Sequence, residues 1–159
     1  MTVIAQDFRD VLSRFASGVT IVTTVYQGRP CGLTASSFSS VSLDPPLVLF
    51  CLGKDSTNFD AFMAAESFAF NILSSDQDTL STRFARKDIE RFEGVAFDTW
   101  VTGSPVLPGA LAALDCTRHA VHDAGDHVIV IGRVQKLGVL APDAQPLTYW
   151  RGRYRSLAS

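Results

Sequence analysis

Strands outnumber helices along this sequence, and the short helical stretches interrupt them without a regular β-α-β alternation. The sequence also has no Gly-x-Gly-x-x-Gly turn and no Walker-type phosphate loop. Together these observations predict a mainly β protein, an antiparallel barrel with a few short peripheral helices, over a doubly wound parallel sheet. The length of 159 residues, 47% of them apolar, suits one domain covering residues 1–159 with a buried core of its own.

The charge balance narrows the class further. A formal net charge of −2 gives no electrostatic reason for a nucleic-acid partner. No stretch reaches the roughly 18 uninterrupted apolar residues of a membrane span. Met1 to Asp10 carries acidic residues and lacks the basic-then-apolar order of a secretion signal. Cys31, Cys51 and Cys116 are odd in number, far apart and set in apolar runs, so they read as small buried hydrophobes in a reducing cytoplasm without metal-ligand spacing.

Element by element, Phe8, Val11, Leu12 and Phe15 recur at helical intervals, predicting a helix over Ala5 to Ala16 that Gly18 closes. Val19 to Tyr26 is almost wholly β-branched and reads as a strand, with Gln27-Gly28 turning the chain into a second strand over Arg29 to Ser37. After a stiff Asp44-Pro45-Pro46 corner, Leu47 to Leu52 has the continuous apolar pattern of a strand covered on both faces. Ser56 or Thr57 caps a short helix over Asn58 to Ala65. Ser67 to Leu73 is another strand, and Ser75 to Phe84 a second amphipathic helix. Arg86 to Gly94, the most charged and least apolar part, reads as a mobile loop. Val95 to Val106 has room for an irregular strand. Leu114 to His122 and His127 to Leu140 read as long strands joined at Asp123-Ala124-Gly125-Asp126, with turn residues at the tip. The chain ends with a loop over Pro142 to Pro146 and an aromatic, basic strand over Leu147 to Leu157.

Chemistry is sparse. Gly32 to Leu52 holds Thr34, Ser36, Ser37, Ser39 and Ser40 around Phe38, hydroxyls dense enough to hold a phosphate or a ribityl chain. A serine-rich surface strand has the same composition, so residues alone leave both readings open. His119 and His122, three apart on one strand, point to opposite faces and make a poor metal pair. His127 opens a strand beside Asp126, where an imidazole can reach a cleft or simply occupy a turn. There is no nucleophile elbow and no paired-carboxylate pattern, which suits a reaction carried by a cofactor. Arg86 and Lys87, just past the second helix, can neutralise a phosphate or form a solvated helix end.

These pieces fall into one order. Phe15-Ala16-Ser17-Gly18-Val19-Thr20, Gly32-Leu33-Thr34-Ala35-Ser36-Ser37-Phe38 and Ser42-Leu43-Asp44-Pro45-Pro46-Leu47-Val48 open it. Phe70-Asn71-Ile72-Leu73, Leu80-Ser81-Thr82-Arg83-Phe84-Ala85, Leu114-Asp115-Cys116, Gly125-Asp126-His127 and Tyr149-Trp150-Arg151-Gly152-Arg153-Tyr154 complete it. The set resembles the flavin reductase family, the short-chain NAD(P)H:flavin oxidoreductases of two-component monooxygenases. Lys87 to Gly103 is the stretch where family features do not align.

The resemblance implies a Greek-key split β-barrel, a homodimer with flavin near the subunit interface, and FMN or FAD reduced by NADH or NADPH for a separate monooxygenase. It implies that Thr34, Ala35, Ser36 and Ser37 line the flavin, and that Cys51 and Leu52 offer it backbone groups. Ser56 and Asn58 would approach its phosphate, and Ala85 and Arg86 would close that site. His127 would face the nicotinamide as the catalytic residue, and Tyr154 and Arg155 belong to an outer pocket. A non-catalytic flavin- or haem-binding carrier or sensor on the same barrel is the alternative, and the Gly125-Asp126-His127 turn argues against it. A pyridoxamine-phosphate-type oxidase would need a stronger basic site than Arg86 and Lys87 provide.

Overall fold

The computed structural model describes residues 1–158. In chain order the elements are α1 (Ala5–Leu12), β1 (Ser17–Gly18), β2 (Thr20–Tyr26), β3 (Arg29–Ala35), β4 (Ser39–Leu43), β5 (Pro46–Gly53), α2 (Phe59–Ala64) and β6 (Ser67–Ile72). They continue with α3 (Asp78–Ala85), β7 (Asp98–Thr99), β8 (Pro105–Val106), β9 (Ala112–Ala124), β10 (His127–Val139), β11 (Thr148–Trp150) and β12 (Arg153–Arg155). Strands take 46% of the chain and helices 14%, so the mainly β expectation holds.

Seven strands form one antiparallel sheet in the order β3-β2-β6-β9-β10-β5-β4. Its edges are β3 and β4, which follow each other in the chain with only residues 36–38 between them. That link spans at most about 14 Å, so the sheet must curl until its two edges meet. Ser37 makes the closure. Its hydroxyl accepts from Cys51 N–H at 2.9 Å and reaches Cys51 C=O at 3.3 Å, joining the end of β3 to β5. The barrel is therefore split along one seam, held by a side chain where a backbone ladder would otherwise run.

The curl encloses an aromatic core. Phe50 on β5 meets Phe62, Phe68 and Phe70 edge-on, with ring centroids 5.6–5.7 Å apart. Edge-to-face pairs of this kind each add about 0.5–1.5 kcal/mol beyond their burial. Gly132 of β10 faces the same core, where a Cβ would stand 2.8 Å from the Phe68 ring and 2.9 Å from Cys116 Cβ. Strand β2 is buried on both faces because a second layer covers it. Ile21 packs with Leu73, Phe84, Leu107 and Leu147 under α3 and the C-terminal segment. Two buried polar side chains fasten the outer loops. Asn71 donates to Ile21 C=O at 3.1 Å and accepts from Leu107 N–H at 2.8 Å. Asp115 accepts from Thr102 N–H at 2.9 Å and from the Thr102 hydroxyl.

Several boundaries differ from the sequence expectation, each for a tertiary reason. The first helix ends at Leu12, tightened by Arg14 and Phe15 amides bonding to Val11 and Leu12, and Gly18 pairs with Thr148 in a strand. The second strand of the first hairpin stops at Ala35, and a separate strand β4 pairs with β5. Helix α3 starts at Asp78 because Ser75 N–H is bonded to Gln145 C=O and Ser74 N–H to Gln77 Oε1. The last strand is a hairpin, β11–β12, turned by Arg151 and Gly152 at φ 51° and 70°. A β-bulge at His119 interrupts the strict alternation expected of β9. The stretch from Arg86 to Gly94, expected to be a mobile loop, is pinned: Arg83 donates to the carbonyls of Arg91 at 2.7 Å, Glu90 at 2.9 Å and Glu93 at 2.7 Å. Of the cysteines only Cys116 is fully buried, while Cys31 and Cys51 are half-buried.

Candidate active site

A cavity of about 380 Å³ opens at the seam, between the end of β3 and the end of β5 that runs past its pairing with β4. One wall runs from Leu33 at the end of β3 to Ser37 in the link that follows it, and the opposite wall is Cys51 to Gly53. Ser56, the C-terminal end of α3 and the cations Lys87 and Arg91 complete it, with His127 at the other strand's start. A cavity of this size, with a few convergent polar groups, is what a nucleotide-sized ligand needs.

Not every hydroxyl in the wall is available to a ligand. Thr34 Oγ1 donates to Ser81 C=O at 2.6 Å, fixing β3 to α3. Ser37 is spent on Cys51, which also occupies the Cys51 backbone groups expected to face the flavin. Ala35 and Leu52 are buried and contribute wall. Ser36 is exposed, and its hydroxyl makes no hydrogen bond among the described residues. Ser56 Oγ accepts from Asn58 N–H at 3.2 Å at the foot of α2.

His127 pairs with Gly53 across β5 and β10, so its ring stands over that glycine. A Cβ built at position 53 would lie 3.6 Å from His127 Nε2 and 2.9 Å from Asp55 Oδ1. The missing side chain leaves the imidazole room at the cavity wall. Its Nδ1 is 2.6 Å from Asp126 Oδ1. That hydrogen bond, with the attraction between the two groups, holds the Asp126 carboxyl below the usual carboxylate range. Lys54 anchors the same corner, its amide donating to Asp126 C=O at 2.9 Å and its ammonium pairing with Asp123 at 2.5 Å.

The cations at the cavity differ from those expected. Arg86 turns away and pairs with Asp88 at 2.8 Å, lining a different depression beside α3. Lys87 lines the cavity and pairs with Asp55 at 3.3 Å. Arg91, not singled out by any sequence pattern, donates to Gly32 C=O at 2.7 Å and to Arg86 C=O at 2.6 Å. These bonds place it half-buried at the wall, where desolvation lowers its pKa. Asn58 also departs from expectation: its amide donates to Gly32 C=O at 2.9 Å, and it lines an adjoining cavity. Tyr154 lies outside the cavity, its hydroxyl 2.7 Å from Ser81 Oγ, and Arg155 lies outside it too, over the Trp150 ring. No motif could have announced Arg91, whose position depends on carbonyls brought together by folding.

The fold is a split β-barrel with a cavity at its seam lined by hydroxyls, two cations, the Asp55 carboxylate and a histidine. Residues 12–158 match the family model described as the flavin reductase like domain. The reductase subunit HsaB of a flavin-dependent monooxygenase from Mycobacterium tuberculosis is 42% identical over 151 residues, covering 94% of this chain and 81% of that one. The FMN reductase (NADH) SmoA of Agrobacterium fabrum is 44% identical over 150 residues, covering 94% and 84%. Among solved structures, the NADH:FAD oxidoreductase SgcE6 of Streptomyces globisporus, in complex with NAD and FAD fragments, superposes with a TM-score of 0.91. It is 35% identical and covers 99% of this chain and 97% of its own. The chain belongs to the flavin reductase-like family.

Proposed function

We propose that this protein is an NAD(P)H-dependent flavin reductase that passes reduced FMN or FAD to a separate monooxygenase component. The observation carrying this reading is the seam cavity itself, lined by a carboxylate-paired histidine, two cations and hydroxyls. The residues fit a flavin nucleotide. Lys87 and Arg91 suit a phosphate, the Ser36 and Ser56 hydroxyls suit a ribityl chain, and Leu33, Ala35 and Leu52 offer apolar wall to a ring.

When bound, flavin supplies the hydride acceptor and NAD(P)H the donor. The chain's own residues bind, orient and exclude water. Hydride transfer needs close approach and alignment more than a proton donor. Asp126 fixes the His127 ring by its Nδ1, leaving Nε2 to contact the nicotinamide nucleotide. The bond from Ser37 to Cys51 keeps the two walls at a fixed gap. Arg83, through the loop carbonyls, keeps Arg91 at the phosphate end.

The same reading makes residues 1–159 one domain, active in the cytoplasm as a homodimer. No helix among the described residues is long and apolar enough to cross a membrane. The decisive assay is NADH or NADPH oxidation by purified protein with and without FMN or FAD. Oxidation that requires flavin supports the proposal, and no flavin-dependent oxidation with either nucleotide overturns it.

A further inference from the structure

A second cavity of about 340 Å³ lies against the first, and Lys87 and Arg91 line both. The wall between them is firm. Gly32 C=O takes hydrogen bonds from Asn58 Nδ2 at 2.9 Å and from Arg91 Nη1 at 2.7 Å. Besides the cations the lining is mixed, with Tyr26, Pro30, Cys31 and Phe92 set among the polar residues Gln27, Thr57 and Asn58. Burial raises the Cys31 pKa, so the thiol stays neutral and packs as apolar surface. Arg29 and Glu90 pair at 3.3 Å at the exposed rim and offer both signs of charge to polar ligand groups.

We propose that this second cavity holds the adenosine-phosphate half of FAD, so that the protein prefers FAD to FMN. The inference rests on the flavin reductase reading. A flavin mononucleotide ends at the phosphate that Lys87 and Arg91 would hold. A dinucleotide carries a second phosphate there, followed by a ribose and a flat base. The lining offers a surface for each: cations shared with the first cavity for the phosphates, polar side chains for the ribose, and Tyr26 and Phe92 for the base. NAD(P)H carries the same adenosine-phosphate chemistry. However, His127, assigned to the nicotinamide, lines only the first cavity, whereas the shared cations mark the phosphate end of the flavin.

The test is the dissociation constant of FAD and of FMN, read from quenching of flavin fluorescence, for the wild-type protein and for Cys31→Phe and Thr57→Trp. Both substitutions fill the second cavity and leave the lining of the first untouched. FAD should bind the wild type roughly tenfold more tightly than FMN, the scale of one base stacked on an aromatic face. In the variants FAD affinity should fall to the FMN level, with FMN affinity and FMN-dependent NADH oxidation unchanged. Thr57 is exposed, so its variant carries the test even where Cys31→Phe fails to fold. Equal wild-type affinities for the two flavins overturn the inference, as does an equal loss of both in the variants. A rise in the KM for NADH with flavin affinities unchanged assigns the cavity to the nicotinamide nucleotide and also overturns it. If neither flavin binds and none supports NADH oxidation, the flavin reductase reading itself falls, an outcome distinct from FMN-dependent activity without an FAD preference.

Discussion

Three side chains at the seam and core do work that a contact diagram alone would not separate. His127 is held by Asp126 and stands over a glycine, so its role is placement. His127→Ala should cut kcat/KM for NADH roughly tenfold to a hundredfold, the scale of a misplaced reacting pair, while flavin affinity measured by fluorescence stays near wild type. Equal losses in both would favour the carrier alternative. Ser37 serves first as a structural clasp. Ser37→Ala leaves the Cys51 N–H without its partner, and a lost buried partner costs about 1–3 kcal/mol. The urea midpoint should therefore fall together with flavin affinity. Cys116 is fully buried, and desolvation, with the Asp115 charge adding to it, pushes its thiol from 9.0 up to about 12. Between those values the unfolded chain sheds the proton and the folded chain keeps it. Stability is thus complete below pH 9.0 and falls as pH rises towards about 12, by up to about 1.4 kcal/mol per pH unit. Cys116→Ala should flatten that slope in urea unfolding at successive alkaline pH values.

Among the elements, the segment after α3 gains most from its surroundings. Its charges suggested a solvated loop, yet the guanidinium of Arg83 gathers three of its carbonyls, and Phe92 packs edge-on against Phe84 with centroids 5.0 Å apart. A side chain that satisfies distant carbonyls has no periodic signature, so sequence reading missed both the order and the Arg91 position it creates. Arg83→Ala should loosen the segment and weaken flavin binding several-fold in a fluorescence titration, with the far-ultraviolet circular dichroism of the barrel unchanged. Hairpin β11–β12 was missed although its turn is built like the first one: Arg151-Gly152 at φ 51° and 70° repeats Gln27-Gly28 at φ 50° and 74°. What differs is the flanks, since β-branched runs mark the first hairpin as strand, whereas the aromatic and basic residues around Gly152 carry no comparable strand pattern.

At the scale of the molecule, α1 presents Phe8, Val11 and Leu12 to solvent, and the adjoining Phe15 is 82% exposed. A helical apolar stripe left uncovered in one chain marks a surface for another chain, which agrees with the proposed homodimer. Light scattering after size exclusion should give twice the chain mass. The double change Phe8→Glu with Phe15→Glu should shift the protein towards monomer, since neither side chain is part of the barrel core. A wild-type monomer at micromolar concentration would count against the dimer.

By itself the sequence determined the mainly β class, the order of the long strands, the tight turn at Gln27-Gly28 and the stretch of chain that forms the seam. These are local properties: β-branched runs, glycine at positive φ and a hydroxyl-rich segment flanked by apolar strands. The tertiary structure alone decided which members of that stretch face the cavity. Thr34 was drawn to α3 and Ser37 into closing the barrel, Arg86 swung to Asp88, Asn58 reached Gly32, and Arg91 arrived from the charged segment after α3. The physical reason is that each polar group takes the strongest partner the folded chain brings within about 3 Å, and those partners lie 14 to 59 residues away in sequence wherever the site was reshaped across elements.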